Sequence, residues 1–234
     1  MLLRRLAPVL SVLAVVLLIA AGPGTRLGLW GFRTGFLLLR WGAYLGIAGA
    51  GFGLLGLLWR PAGGSYRRPV LAIALGGVAA LLPWRWMQQA RKVPPIHDIT
   101  TDTERPPEFT AVLPLRADAP NSAAYGGPEV AAQQRAAYPD IVPLRLGDPP
   151  GEVFPRALDA ARKSGWEIVA TDSAEGRIEA TATTTWFGFK DDVVIRVSPD
   201  GNGSRVDLRS VSRVGASDVG TNARRIRGYL DRLR

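Results

Sequence analysis

Residues 177–214 read RIEATATTTWFGFKDDVVIRVSPDGNGSRVDLRSVSRV, and their rhythm sets the fold of the C-terminal half. Ile178, Ala180, Ala182 and Trp186 fall on one side, with Glu179, Thr181, Thr183 and Thr185 on the other. A period of two sends alternate side chains to opposite faces, which is the pattern of a half-buried strand. "KDD" turns the chain, and "VVIRVS" continues as a strand. "PDGNGS" is a strong hairpin signal, because Gly and Asn accept the positive φ of tight turns. "RVDLRSVSRV" then sets Val206 and Leu208 against Arg205, Asp207, Arg209 and Arg213.

Upstream, "WEIVATD" reads as another strand, with Trp166, Ile168 and Ala170 on one side. Before it, "EVFPRALDAARKSG" places Val153, Phe154, Ala157, Leu158 and Ala161 on one helical face. Gly165 suits the C-terminal stop of that helix. Downstream, a helix from about Asn222, capped by Thr221 or Asp218, repeats Ile226, Tyr229, Leu230 and Leu233 at i, i+3, i+4 and i+7. The order over 151–234 is α-β-β-β-β-α. Short turns predict an antiparallel meander, and two helices on its apolar face give a two-layer α+β domain. The opposite face carries Arg196, Arg209, Arg213, Glu179 and the threonines. It is either solvated or covered by residues 91–150. That stretch is proline-rich ("VPPIHD", "RPPEF", "YPDIVPL", "GDPP") and reads as an extended segment packed on the domain, with one short helix at 130–137.

Residues 1–90 differ in kind. Apolar stretches at about 6–22, 36–59 and 70–87 approach or reach the ~20 residues that a spanning helix needs. They predict a three-helix transmembrane anchor ahead of the α+β domain. The first stretch follows Arg4 and Arg5 as a signal peptide would, but Pro23 spoils the cleavage site, so an uncleaved helix is expected. In the second, Gly42, Gly46, Gly49, Gly53 and Gly56 recur at spacings of 4, 3, 4 and 3, which aligns them on one face. Glycine permits the close backbone approach that holds helices together in lipid. A matching face of Ala72, Gly76, Ala79 and Ala80 predicts tight packing of the second and third helices, within one chain or between chains of a homo-oligomer. Arg40, about one turn inside the second helix, is expected to snorkel to headgroups rather than line an ion path. Trp84, Arg85 and Trp86 read as an interfacial belt.

The formal charge of +9 resembles that of a nucleic-acid binder, but its location does not. Residues 1–90 hold nine arginines and no acid, whereas residues 91–234 hold twenty basic and twenty acidic side chains. The excess therefore flanks apolar runs, where arginine anchors helices, and no nucleic-acid partner is expected. The absence of cysteine excludes disulfides, thiolate metal sites and a cysteine nucleophile. Arginine makes up 26 of the 29 basic residues, a coding bias that suggests a GC-rich bacterium. For topology, Arg4, Arg5, Arg60, Arg67 and Arg68 oppose Arg26, Arg33, Arg85, Arg91 and Lys92, with Arg40 reaching the latter side. The count is nearly even. Letting the first helix dominate puts the C-terminal domain outside the cytoplasm of a bacterial inner membrane.

"HDITTD", "PPEF", "TTTWFGFKDDVVIRV" and "RSVSRVGASDVGTNARRIRGYLDRL" together resemble the bacterial and plastid family catalogued as domain of unknown function 1499, over about residues 94–234. The resemblance implies a domain boundary and an N-terminal anchor like that of some members. It implies no reaction, substrate or cofactor.

Three groupings are candidates for chemistry. The sole histidine, His97, lies with Asp98 and Asp102, a set suited to acid–base work or to a structural turn. Residues 210–225 end a strand and begin a helix among Arg213, Asp218, Asn222 and Arg224. With Arg196 and Arg209 they form a candidate face for an anion or a partner, or a capped turn. "TWFGFKDD" crowds Trp186, Phe187 and Phe189 beside Asp191 and Asp192, either as contacts for headgroups or a partner, or as core. Neither a metal nor an organic cofactor is expected. The leading reading is a non-catalytic binding or assembly module of the cell envelope, with the bilayer, an anionic lipid or a membrane protein as partner. The alternative is a membrane-bound hydrolase or transferase using His97 with a carboxylate.

Overall fold

The computed structural model describes residues 2–59 and 64–234, with side chains from Arg5 onward. Arg60 and the Arg4 side chain, both in the topology count, lie outside the described residues. The chain forms two compact units, one of residues Met1–Arg91 with Thr185–Gly188 and one of Lys92–Thr184 with Phe189–Arg234.

The first unit contains α1 (Leu2–Arg26), α2 (Phe32–Leu58) and α3 (Arg67–Ala90). All three are long and apolar enough to cross a membrane. Each runs several residues past its apolar stretch. Flanking arginines tolerate helix ends at a headgroup layer, where their charges meet water. α1 also continues through Pro23 to Arg26. The glycine face of α2 serves both neighbours. A Cβ on Gly42 or Gly49 would meet α1, at the Ala14 carbonyl oxygen (3.1 Å) and Ser11 Oγ (2.3 Å). On Gly46 or Gly53 it would meet α3, at the carbonyl oxygens of Gly76 (2.6 Å) and Pro69 (2.9 Å). Gly56 is buried on the same face. The helices converge at Ser11, fully buried, whose Oγ donates to the Ala72 carbonyl at 2.8 Å. α2 thus packs on α3 within the chain, and α1 shares the same glycine stripe.

The second unit is built on one antiparallel sheet in the order β1-β6-β5-β4-β3, with β2 also on β6. The strands are β1 (Asp98–Thr100), β2 (Leu144–Leu146), β3 (Glu167–Asp172), β4 (Arg177–Thr183), β5 (Lys190–Asp200) and β6 (Gly203–Ser212). β3 to β6 form the meander, and β1 and β2 come from the proline-rich segment. That segment also holds α4 (Gly127–Ala137). At three residues each, β1 and β2 are too short to show a period, and pairing with β6 defines them. The β5–β6 hairpin turns at Gly201, whose φ of 60° a side chain would resist. α5 (Pro150–Lys163) ends at Gly165, with φ of 75°, and α6 is Thr221–Leu233.

Both helices bury their apolar stripes on one sheet face, against Ile178, Ala180, Val193, Ile195, Val206 and Leu208. Trp166 stacks on Tyr229 at 5.2 Å. The other face is covered: Phe109 and Val112 of the proline-rich segment pack on Val194 and Val211. The α+β architecture therefore has a third, irregular layer over the face whose state the strand pattern left open.

Candidate functional site

The covered face owes its character to the odd-numbered positions of β4 and β6 and the even-numbered ones of β5. Alternation sends Glu179 and Thr181, Asp192, Val194 and Arg196, and Asp207, Arg209 and Val211 to the same side. Cross-strand register then sets Arg196 opposite Asp207 and Val194 opposite Arg209. Once the segment closes over them, these charges need partners, because an unpaired buried charge is costly.

Arg209 is 2 % exposed. Its Nε and Nη2 donate to the two oxygens of Asp98 at 3.0 and 2.7 Å. Its remaining bonds reach the carbonyls of Pro107 and Ala123. The rings of Phe109 and Tyr125 lie 5.1 and 5.4 Å from the guanidinium. Burial pushes the Asp98 carboxyl upward, against the hydrogen bonds and charge of Arg209. Burial pushes the Tyr125 phenol up to about 12.

Asp192 has no exposed side-chain surface. Arg213 donates to both its oxygens, at 2.9 and 2.7 Å. Thr181 Oγ1 adds a bond at 2.9 Å. Arg116 Nη1 lies 3.3 Å away, close enough for an ion pair but without hydrogen-bond geometry. Asp207, also buried, is held by Arg205 and Arg196. The same two arginines reach Asp102 at 2.8 and 3.1 Å. Burial works to raise the Asp102 pKa. The backbone N–H groups of Arg105 and Glu104, then the charges of Arg205 and Arg196, outweigh it and hold the carboxyl below its ordinary value. Glu179, 1 % exposed, accepts from the backbone N–H groups of Thr110, Ala111 and Val112 at 3.0–3.1 Å.

On the helix side, Asn222 is fully buried. Its amide nitrogen donates to the His97 carbonyl and to Ser212 Oγ. Its amide oxygen accepts from Ser210 and Arg225. Arg225 reaches Asp191 at 2.5 Å. Asp218 accepts from the N–H groups of Gly220 and Asn222 and so caps α6; burial raises its pKa. Arg224 is exposed and donates to the Val219 carbonyl and Thr221 Oγ1.

His97 is half-buried, and its carbonyl, accepting from Ser212 N and Asn222, ties β1 to β6 and α6. The two aspartates beside it in sequence answer to different arginines. Among the candidate anion-facing residues, Arg209, Asp218 and Asn222 are buried and Arg213 mostly so, while Arg196 and Arg224 reach solvent. Asp191 and Asp192 point to opposite faces, each on an arginine. Trp186 and Phe187 group with the helices: a Cβ on Gly22 would collide with the Trp186 ring, and Phe187 lies 5.1 Å from Phe36. Among the described residues, no three His, Asp or Glu side chains come together as a metal would require. Sequence reasoning missed Arg116, and it placed Arg225 only among the arginines near the start of α6. Glu179 was legible only as an acid on the polar face of a strand.

A recess of about 420 Å³ lies at the C-terminal ends of α5 and α6, lined by Arg156, Asp159, Lys163, Arg232 and Arg234. Its charges are largely answered, by Asp148 on Arg156, Asp159 on Lys163 and Asp231 on Arg234.

The family model described as "Protein of unknown function (DUF1499)" matches residues 98–233. No curated protein matches the chain. The chain belongs to the DUF1499 family.

Proposed function

We propose that this DUF1499 protein is a non-catalytic binding or assembly module of the bacterial cell envelope, held in the inner membrane by its three helices with its C-terminal domain outside the cytoplasm. One observation carries the reading: the carboxylates beside the sole histidine are already engaged by arginine. A general base needs a lone pair turned toward substrate. Asp98 turns both oxygens to Arg209, and Asp102 is shared between Arg196, Arg205 and two backbone amides. These groups stiffen the domain and close one sheet face. A rigid, electrically balanced domain on a membrane anchor suits presentation of a surface better than turnover of a substrate. Arg209 and Arg213 serve the interior, so recognition of an anionic or protein partner falls to the solvent-reaching Arg196 and Arg224.

The test is photo-cross-linking in native membranes from residues 196 and 224 of the full chain, read by mass spectrometry. A discrete adduct at either position is the expected result. Absence of any adduct, together with hydrolytic turnover that His97→Ala abolishes, would sink the reading.

A further inference from the structure

We propose that the outward face of α2 holds one anionic phospholipid, its phosphate clamped between Arg33 and Arg40. The proposal rests on α2 lying in a bilayer and is independent of what the C-terminal domain recognises.

At about 100° per residue, positions 33, 40 and 44 fall roughly opposite the glycine stripe that faces α1 and α3. The exposure agrees: Arg33, Arg40, Trp41 and Tyr44 are all exposed, while Gly35, Leu39, Gly42 and Gly46 are buried. The two arginines are seven residues apart, or about two turns and ~10 Å along the axis. Arg33 sits at the start of the helix, and Arg40 lies within it. Two arginine side chains at that spacing are long enough to reach a single phosphodiester.

Arg40 is already organised for such a ligand. Its Nε donates to Tyr44 Oη at 3.0 Å, and its guanidinium lies 5.5 Å from the Tyr44 ring. Helical side chains lean toward the N-terminus. The Tyr44 hydroxyl therefore comes back to the level of Arg40, toward the same end of α2 as Arg33. Trp41 braces Tyr44 edge-on at 5.8 Å. The bond to Tyr44 uses Nε and leaves the two terminal nitrogens to serve phosphate oxygens.

Nothing in the helical unit neutralises this pair. The first acid of the chain is Asp98, and Thr185–Gly188 contains none. A cation on a lipid-facing surface draws an anion to itself or distorts the bilayer. The anion present at that depth in every membrane is the lipid phosphate, and a net-negative headgroup satisfies two arginines without bringing a competing cation.

The experiment is native mass spectrometry of the full-length protein in detergent, titrated with an equimolar mixture of phosphatidylglycerol and phosphatidylcholine. The expected result is one retained phosphatidylglycerol per chain. Retention should fall about fivefold in Arg33→Leu or Arg40→Leu and further in the double variant, since each basic side chain near anionic lipid contributes about that factor. Arg85→Leu, on α3, should leave retention unchanged. Arg40→Lys keeps the charge but not the fork, and Tyr44→Phe keeps the ring but not the hydroxyl; both should retain intermediate amounts. Those two variants decide the matter if Arg40→Leu does not extract as a helical protein. Equal retention of the two lipids, equal retention by the variants, or occupancy of this face by a co-purifying polypeptide would each overturn the proposal.

Discussion

Asp192 is sealed from solvent between Arg116 and Arg213. Removing one partner of a buried pair leaves the other uncompensated, at about 3–5 kcal/mol. Asp192→Ala should therefore unfold the full-length protein in detergent at much lower denaturant than wild type. The exposed pair between Asp140 and Arg227 offers the contrast, since Asp140→Ala should cost under ~1 kcal/mol. Asp102 gives a pH prediction. Its folded pKa lies below its ordinary value, so its contribution is present above about pH 4 and is lost as pH falls through the folded pKa. Asp140, lowered chiefly by its hydrogen bond from Arg227, works in the same direction. Asp98 and Asp218, raised by burial, work in the opposite one. The variant comparison isolates one group. Asp102→Asn should melt below wild type at pH 7, and the gap should close in acid. A gap independent of pH would show that the charge of Asp102 is immaterial.

In α2, the glycine pattern revealed which face packs, and the cost of altering it follows from the contacts. A Cβ on Gly46 or Gly49 would stand 2.6 or 2.3 Å from atoms of α3 or α1, whereas one on Gly51 would meet nothing within 4 Å. Overpacking of this kind costs about 1–3 kcal/mol. Gly46→Val and Gly49→Val should lower the resistance of the helical unit to SDS unfolding, while Gly51→Val should not. Similar losses at all three would mean that the stripe has no packing role. In the other unit, periods of two and 3.6 sufficed to identify β3 to β6, α5 and α6. They could not reveal β1 and β2, because three residues carry no period and only the free edge of β6 defines them.

At the level of the whole molecule, Glu179 links the two halves of the C-terminal unit. One carboxylate from β4 gathers the three successive amides that begin the Thr110–Val112 turn. Glu179→Ala should leave those amides without their shared acceptor, and hydrogen exchange across residues 104–116 should accelerate well before the sheet opens. Exchange that rises uniformly instead would make Glu179 an ordinary core residue. Topology can be read in the same full chain. The sequence has no cysteine, so Val142→Cys, at a position 54 % exposed, provides a unique handle. A membrane-impermeant maleimide should label it in intact spheroplasts, and labelling only after lysis would reverse the orientation.

By itself the sequence determined the division between an apolar, acid-free front and a charge-balanced rear, the four long strands with their helices, and the face of α2 that packs. Each of these is a local or periodic property: a run of apolar residues, a repeat of two or 3.6, a glycine every third or fourth position. Only the tertiary structure decided which charges meet. Asp98 and Arg209 stand 111 residues apart, and Asp102 and Arg205 stand 103 apart; ion pairing has no period in the chain. What each charged group can do depends on those meetings. Asp98 and Asp102, neighbours of His97 in sequence, suggested shared chemistry with it, and the fold set the two aspartates on different arginines.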